Sequence, residues 1–199
     1  METTETINAF WFGTLADDKA VADERARLWW AKNTAVDADI RRRFESCVTQ
    51  AAKGELHAWT ATPSGRLALI LLADQFTRNM YRDTPAAFAL DPLARAWCRE
   101  GLRDGADRAL RPIERVFFYL PLEHSESLEE QDRAVSLFEQ LASEVRAEHK
   151  ANFDGFLDFA VRHRDVIRRF GRFPHRNRIL DRESSPEERA FLLQKGSSF

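Results

Sequence analysis

Two cysteines in a chain of 199 residues leave little room for disulfide chemistry. Cys47 and Cys98 lie far apart in apolar-patterned segments, and no metal-binding spacing joins them. Both read as small core residues of a protein kept in a reducing compartment. Glycine and proline are also scarce, at 8 and 7 residues. That excludes collagen-like, linker-rich and low-complexity architectures. No apolar run approaches the roughly 20 residues of a membrane span, and the run 67–73 stops at Asp74. The opening "METTETINAFWFG" carries acids where a signal peptide carries a basic segment and a long apolar core. The expectation is a cytoplasmic chain with no membrane partner. No segment alternates as a strand, and no Asn-Gly or Asp-Gly pair joins two alternating runs.

What remains is helical. A chain of this size buries about 70% of its unfolded surface and needs no staples. Pro85 after Thr84, Pro92 after Asp91 and Pro186 after Ser185 each read as a helix start. "SPEE" at 185–188 and "SLEE" at 127–130 have the form of capping boxes. Gly54, Gly171 and Gly196 read as stops. Between these marks the apolar spacing follows the helical period. One stripe runs through Ile40, Phe44, Cys47, Val48 and Ala51. A second runs from Leu128 to Val145, and a third from Phe153 to Phe170. The reading is one all-α domain over residues 1–199, with about eight helices. Short loops make stacked antiparallel helix pairs the natural arrangement, although no repeat near 34 residues appears.

A net charge of -2 gives no global attraction to nucleic acid. The distribution is less even. Residues 162–182 hold Arg162, Arg164, Arg168, Arg169, Arg172, Arg176, Arg178 and Arg182 against Asp165 and Asp181. Residues 123–148 show the reverse bias. Either the two segments face each other or are simply solvated, or the arginines form a basic face for an anionic partner.

Four stretches carry candidate chemistry. The first is 67–82, "LALILLADQFTRNMYR". Read as one regular helix at about 100° per residue, Asp74, Arg78 and Arg82 continue the stripe of Leu67 and Leu71, flanked by Gln75 and Asn79. A polar run on an apolar stripe faces inward, as a structural network or as the wall of a ligand pocket. Asp74 and Arg78 stand at i,i+4 and can pair. The second is "FFYLPLEHSES" at 117–127. Pro121 is expected to end a helix, leaving Glu123 and His124 in a loop as an acid/base pair or as caps. The third is "VRHRD" at 161–165, where His163 falls on the apolar face and is expected to be buried with a carboxylate or carbonyl partner. The fourth is "RFPHRNRILDRE" at 172–183, whose His175, Arg176 and Asn177 either suit a carboxylate or phosphate, or belong to a loop pinned by Arg–carboxylate pairs to the acidic helix. If these groups share a site, Arg78 or Arg82 should reach the 123–126 or 175–177 segment. His124, His163, His175 and Glu123 follow no zinc-site, di-iron or HExxH spacing, so neither a metal nor a cofactor is expected.

Taken in order, "WFG" at 11–13, "LADQFTRNMYR" at 72–82, "FFYLPLEHSE" at 117–126 and "FPHRNRILDRES" at 173–184 resemble the bacterial family called domain of unknown function 924. The resemblance covers nearly the whole chain. It implies an all-α fold similar to tetratricopeptide-repeat proteins, and it implies no activity. The family usually has proline where Thr77 stands and glycine where Asp181 stands. Thr77 lets the helix run on; Asp181 can still take a left-handed turn.

Two classes of function follow. The first is a binding protein taking a peptide or small anionic ligand through Asp74, Gln75, Arg78, Asn79, Arg82, His175, Arg176 and Asn177. The second is an enzyme with Glu123, His124 or His163 as acid or base, and Arg78, Arg82 and Arg176 holding substrate charge. Nucleic-acid binding through the 162–182 arginines is a third, disfavoured by the overall charge.

Overall fold

The computed structural model describes residues 2–197. No strand occurs among them; all regular structure is helical. The α-helices are α1 Thr4–Phe12, α2 Asp18–Trp30, α3 Thr34–Ala52, α4 Pro63–Ile70, α5 Thr77–Met80, α6 Asp91–Asp104, α7 Pro112–Glu123, α8 Leu128–Glu144, α9 Lys150–Phe170 and α10 Pro186–Leu192. No helix among the described residues is long and apolar enough to cross a membrane.

Most start and stop signals act as the sequence implies. Ser185 Oγ accepts from the Glu188 amide at 3.1 Å, and Glu188 accepts from the Ser185 amide at 2.7 Å. Gly171 closes α9 with φ of 69°. Asp181 takes the left-handed conformation at φ 53°. Three caps differ. Thr84 precedes only a 3-10 turn, and its hydroxyl donates to the Tyr81 carbonyl. Ser127 stands at the start of α8 but makes no side-chain cap bond. Asp91 lies inside α6, with its carboxylate given to Arg78.

The centre of the molecule is the segment from α4 to α5. Every residue from Gly65 to Met80 is buried except Arg78. It packs against α1, α3, α6 and α7, as expected of a helix that is apolar around its whole circumference. It is not one regular α-helix over 67–82. Leu71–Phe76 is π-helical. The wider turn rotates everything beyond it relative to an ideal α-helix, so the angular positions expected for Asn79 and Arg82 do not hold.

Pro121 does not end its helix either. It lies inside α7, which continues through Leu122 to Glu123. Proline lacks the N–H that would bond the Phe117 carbonyl, and so close to a helix end that loss is tolerated. Glu123 is therefore the last helical residue. His124 is the C-cap, its amide bonded to the Leu120 carbonyl at 2.8 Å.

An aromatic cluster fills the core between α1, α3, α7 and the π segment. Phe44 and Phe76 lie 4.7 Å apart, Trp11 and Phe76 5.4 Å, and Trp11 and Phe117 5.5 Å, between ring centroids. Cys47 and Cys98 are buried free thiols. Burial raises both thiol pKa values, which keeps them unreactive.

Candidate functional site

Asp74 is the hub of a buried polar network. It is 1% exposed. It pairs with Arg78 at 3.1 Å and accepts from the Gln75 amide at 2.6 Å. Its two oxygens lie 2.8 and 3.0 Å from His124 Nδ1. Burial alone would raise this carboxyl. The charge of Arg78, with hydrogen bonds from His124 and Gln75, holds it well below the usual range instead. A carboxylate can only accept, so the proton of neutral His124 sits on Nδ1.

The network continues through a residue that sequence reading assigned to a cap. Arg78 grips Asp91 with both Nη atoms, at 2.9 and 3.0 Å. Asp91 then lies 3.8 Å from Arg176, which donates to the His124 carbonyl at 3.1 Å. Both guanidiniums lie over the Phe88 ring, at 5.5 and 4.8 Å from its centroid. Arg78 is thus linked to the 123–126 and 175–177 segments only indirectly, through Asp74 and Asp91, one carboxylate to each; its own hydrogen bonds and ion pairs go to those two aspartates rather than to either segment.

Behind His124 lies a second pair. Glu123 Oε1 is 3.1 Å from His163 Nδ1, which also bonds the Phe159 carbonyl at 2.8 Å. Both side chains are almost fully buried. His163 therefore has the carbonyl partner expected for it, with the Glu123 carboxyl beside it. Burial, with the nearby charge of Asp74, pushes Glu123 up to about 8. Burial also lowers His124, and it lowers His163 well below an ordinary imidazole. Burial and Arg176 bring His175 down to about 3. Near neutral pH the charged members are Arg78 and Arg176 against Asp74 and Asp91. Glu123 and the three histidines are neutral.

Not every candidate joins. Arg82 and Asn79 turn to α3, where Asp37 accepts from Arg82 at 2.6 Å and from Asn79 at 2.8 Å. The extra rotation of the π segment takes them there. Asn177 faces α10 and bonds Ser184 at 3.0 Å. The network instead includes Asp91 and Phe88, and Glu126 with Arg182 forms an adjoining pair at 2.7 Å. The sequence offered no local sign of the ion pairs among them, because each spans more than ten residues. Only the surplus of acid at 123–148 over base hinted that Arg182 had a partner there.

The arginines of 162–182 are mostly engaged. Arg169 pairs with Glu187, Arg172 with Glu188, Arg182 with Glu126, and Arg168 with both Asp132 and Asp165. Among the described residues, the one group of three with metal-ligand spacing is Asp17, Glu148 and His149, which shares no residue with the network. A surface cleft of about 490 Å³ is lined by chain neighbours of the network rather than by its own residues. Its walls include Pro92, next to Asp91, and Ser125 and Glu126, next to His124.

A solved structure from Agrobacterium tumefaciens, described as a protein of unknown function, ATU0120, shares 40% sequence identity. The match covers 96% of each chain, with a TM-score of 0.80. Among curated proteins there is no match. Residues 7–196 match the family model described as a bacterial protein of unknown function (DUF924), and the chain belongs to that family.

Proposed function

We propose that this chain binds a small anionic molecule, through a carboxylate or phosphate group, against Arg176 and His124. Arg176 carries the reading. It is 6% exposed, and its Nε has no hydrogen-bond acceptor among the described residues. Its nearest carboxylate is 3.8 Å away and already gripped by Arg78. Burial and the charge of Arg78 bring its pKa down to about 10. A buried cation with an unanswered donor is costly. A planar two-oxygen anion answers it with the geometry a guanidinium prefers. A peptide would be held by its terminal carboxylate, with the neighbouring cleft for its body. One domain is enough for this site, because its residues come from the π segment, α5, α6, α7, α9 and the 174–176 turn.

Thermal unfolding tests the reading. Sulfate, phosphate and succinate should each raise the midpoint of the wild type. Arg176→Gln should fold, since Arg78 still holds Asp91, and should lose the response. If Arg176 only braces the fold, the wild type will ignore anions and Arg176→Gln will lose about 1–3 kcal/mol.

One observation favours a second reading. His124 is oriented by a buried carboxylate through Nδ1, and its side chain keeps 15% exposure. That is how a general base is held, with Nε2 presenting a lone pair. Glu123, protonated near neutral pH, would be the matching acid. Activity of this kind would rise with pH as His124 loses its proton. The engaged arginines weigh against nucleic-acid binding.

A further inference from the structure

We propose that the anion site on Arg176 takes up a proton on His124 together with each anion, so that ligand and proton bind as one unit. This rests on the anion-binding reading above and deepens it. The geometry of Asp74 decides the matter. Both its oxygens face His124 Nδ1, and Asp74 is a carboxylate locked by Arg78 and Gln75. Neutral His124 must then keep its proton on Nδ1 and turn a lone pair outward on Nε2. A lone pair repels an anion. Only the doubly protonated ring donates to Asp74 and to a ligand at once.

Charge counting gives the same sign. The groups facing His124 are Asp74 from the π segment, Arg78 from α5, Glu123 from α7, His163 from α9, and His175 and Arg176 from the 174–176 turn. Asp91 of α6 completes the set, gripped by Arg78 and 3.8 Å from Arg176. Two cations balance two anions, and the remaining groups are neutral. An incoming anion leaves a net negative charge in a poorly solvated place. Among the neutral bases His124 is best placed to offset it. His163 commits Nδ1 to the Phe159 carbonyl and lies beside a carboxyl that is itself protonated. His175 sits against Arg176, whose charge opposes its protonation.

The probe is sulfate, whose charge is constant between about pH 5 and pH 8, the range in which imidazole titrates. Calorimetric titration of the intact protein in buffers of different ionisation enthalpy counts the protons taken up. The proposal expects close to one proton per sulfate at the upper end of the range, and affinity falling about tenfold per pH unit there. His124→Gln should bind sulfate weakly, with neither proton uptake nor pH slope. Sulfate bound with no proton exchange in the wild type overturns the coupling and leaves the anion site standing. Uptake that persists in His124→Gln overturns the assignment to His124. Absence of sulfate binding at every pH overturns the anion site and the coupling with it. The wild-type proton count stands even if His124→Gln fails to fold.

Discussion

Glu123 is a carboxyl that the fold keeps protonated, and this has a measurable sign. Its pKa is 4.5 without the fold and about 8 within it. Folding favours its acid form, so its contribution is complete below about pH 4.5 and is lost as pH rises toward 8. Inside that window the slope is at most about 1.4 kcal/mol per pH unit. His163 has the opposite sign: its pKa is lowered, so its contribution is present above the ordinary imidazole range and lost as pH falls. Urea unfolding of wild type and Glu123→Gln from about pH 6.5 to pH 8 separates the two. The wild type should lose stability relative to Glu123→Gln over that range, while the variant keeps only the opposite slope of the buried histidines. Parallel curves would mean that Glu123 is ionised in the fold. The sequence made part of this legible. An imidazole on the apolar face of 153–170 had to be buried, and it is. That Glu123 opposes it was not legible, because proline at 121 reads as a helix end in any local scheme.

Helical elements were the most readable feature, because each apolar stripe and each Ser-Pro or Asp-Pro start is written within a few residues. The π segment was not readable. Leu71 to Phe76 contains nothing a regular helix would refuse, and its wide turn packs against α3, α6 and α7, far away in sequence. The wider turn sends Arg82 to Asp37 on α3 rather than to the 123–126 or 175–177 segment. Close packing of these elements has its own test at Gly101 of α6. A Cβ there would lie 2.5 Å from both Arg66 Cδ on α4 and Phe118 Cζ on α7. Gly to Ala in a helix normally stabilises by roughly 0.5–1 kcal/mol. Here overpacking of three helices should prevail, and Gly101→Ala should lose about 1–3 kcal/mol in denaturant unfolding. A gain in stability would show that α6 can move away from α4 and α7 at little cost.

Across the whole molecule, one long-range arrangement joins the two ends of the candidate site. Asp74 and Arg78 leave the central buried rod, Asp91 begins α6, His124 ends α7, and Arg176 returns on the turn after α9. Helix periodicity places each residue on its element, but only the tertiary packing brings Arg176 within 3.1 Å of the His124 carbonyl. The claim that this meeting point receives an anion is tested most directly at Arg176 Nε, by following its N–H resonance while sulfate is added at about pH 6, near the imidazole range. The account predicts a saturable shift at Arg176, as an unanswered donor gains an acceptor, much larger than at exposed arginines such as Arg103 and Arg178. A shift at Arg176 that never saturates, or that is no larger than theirs, would contradict it.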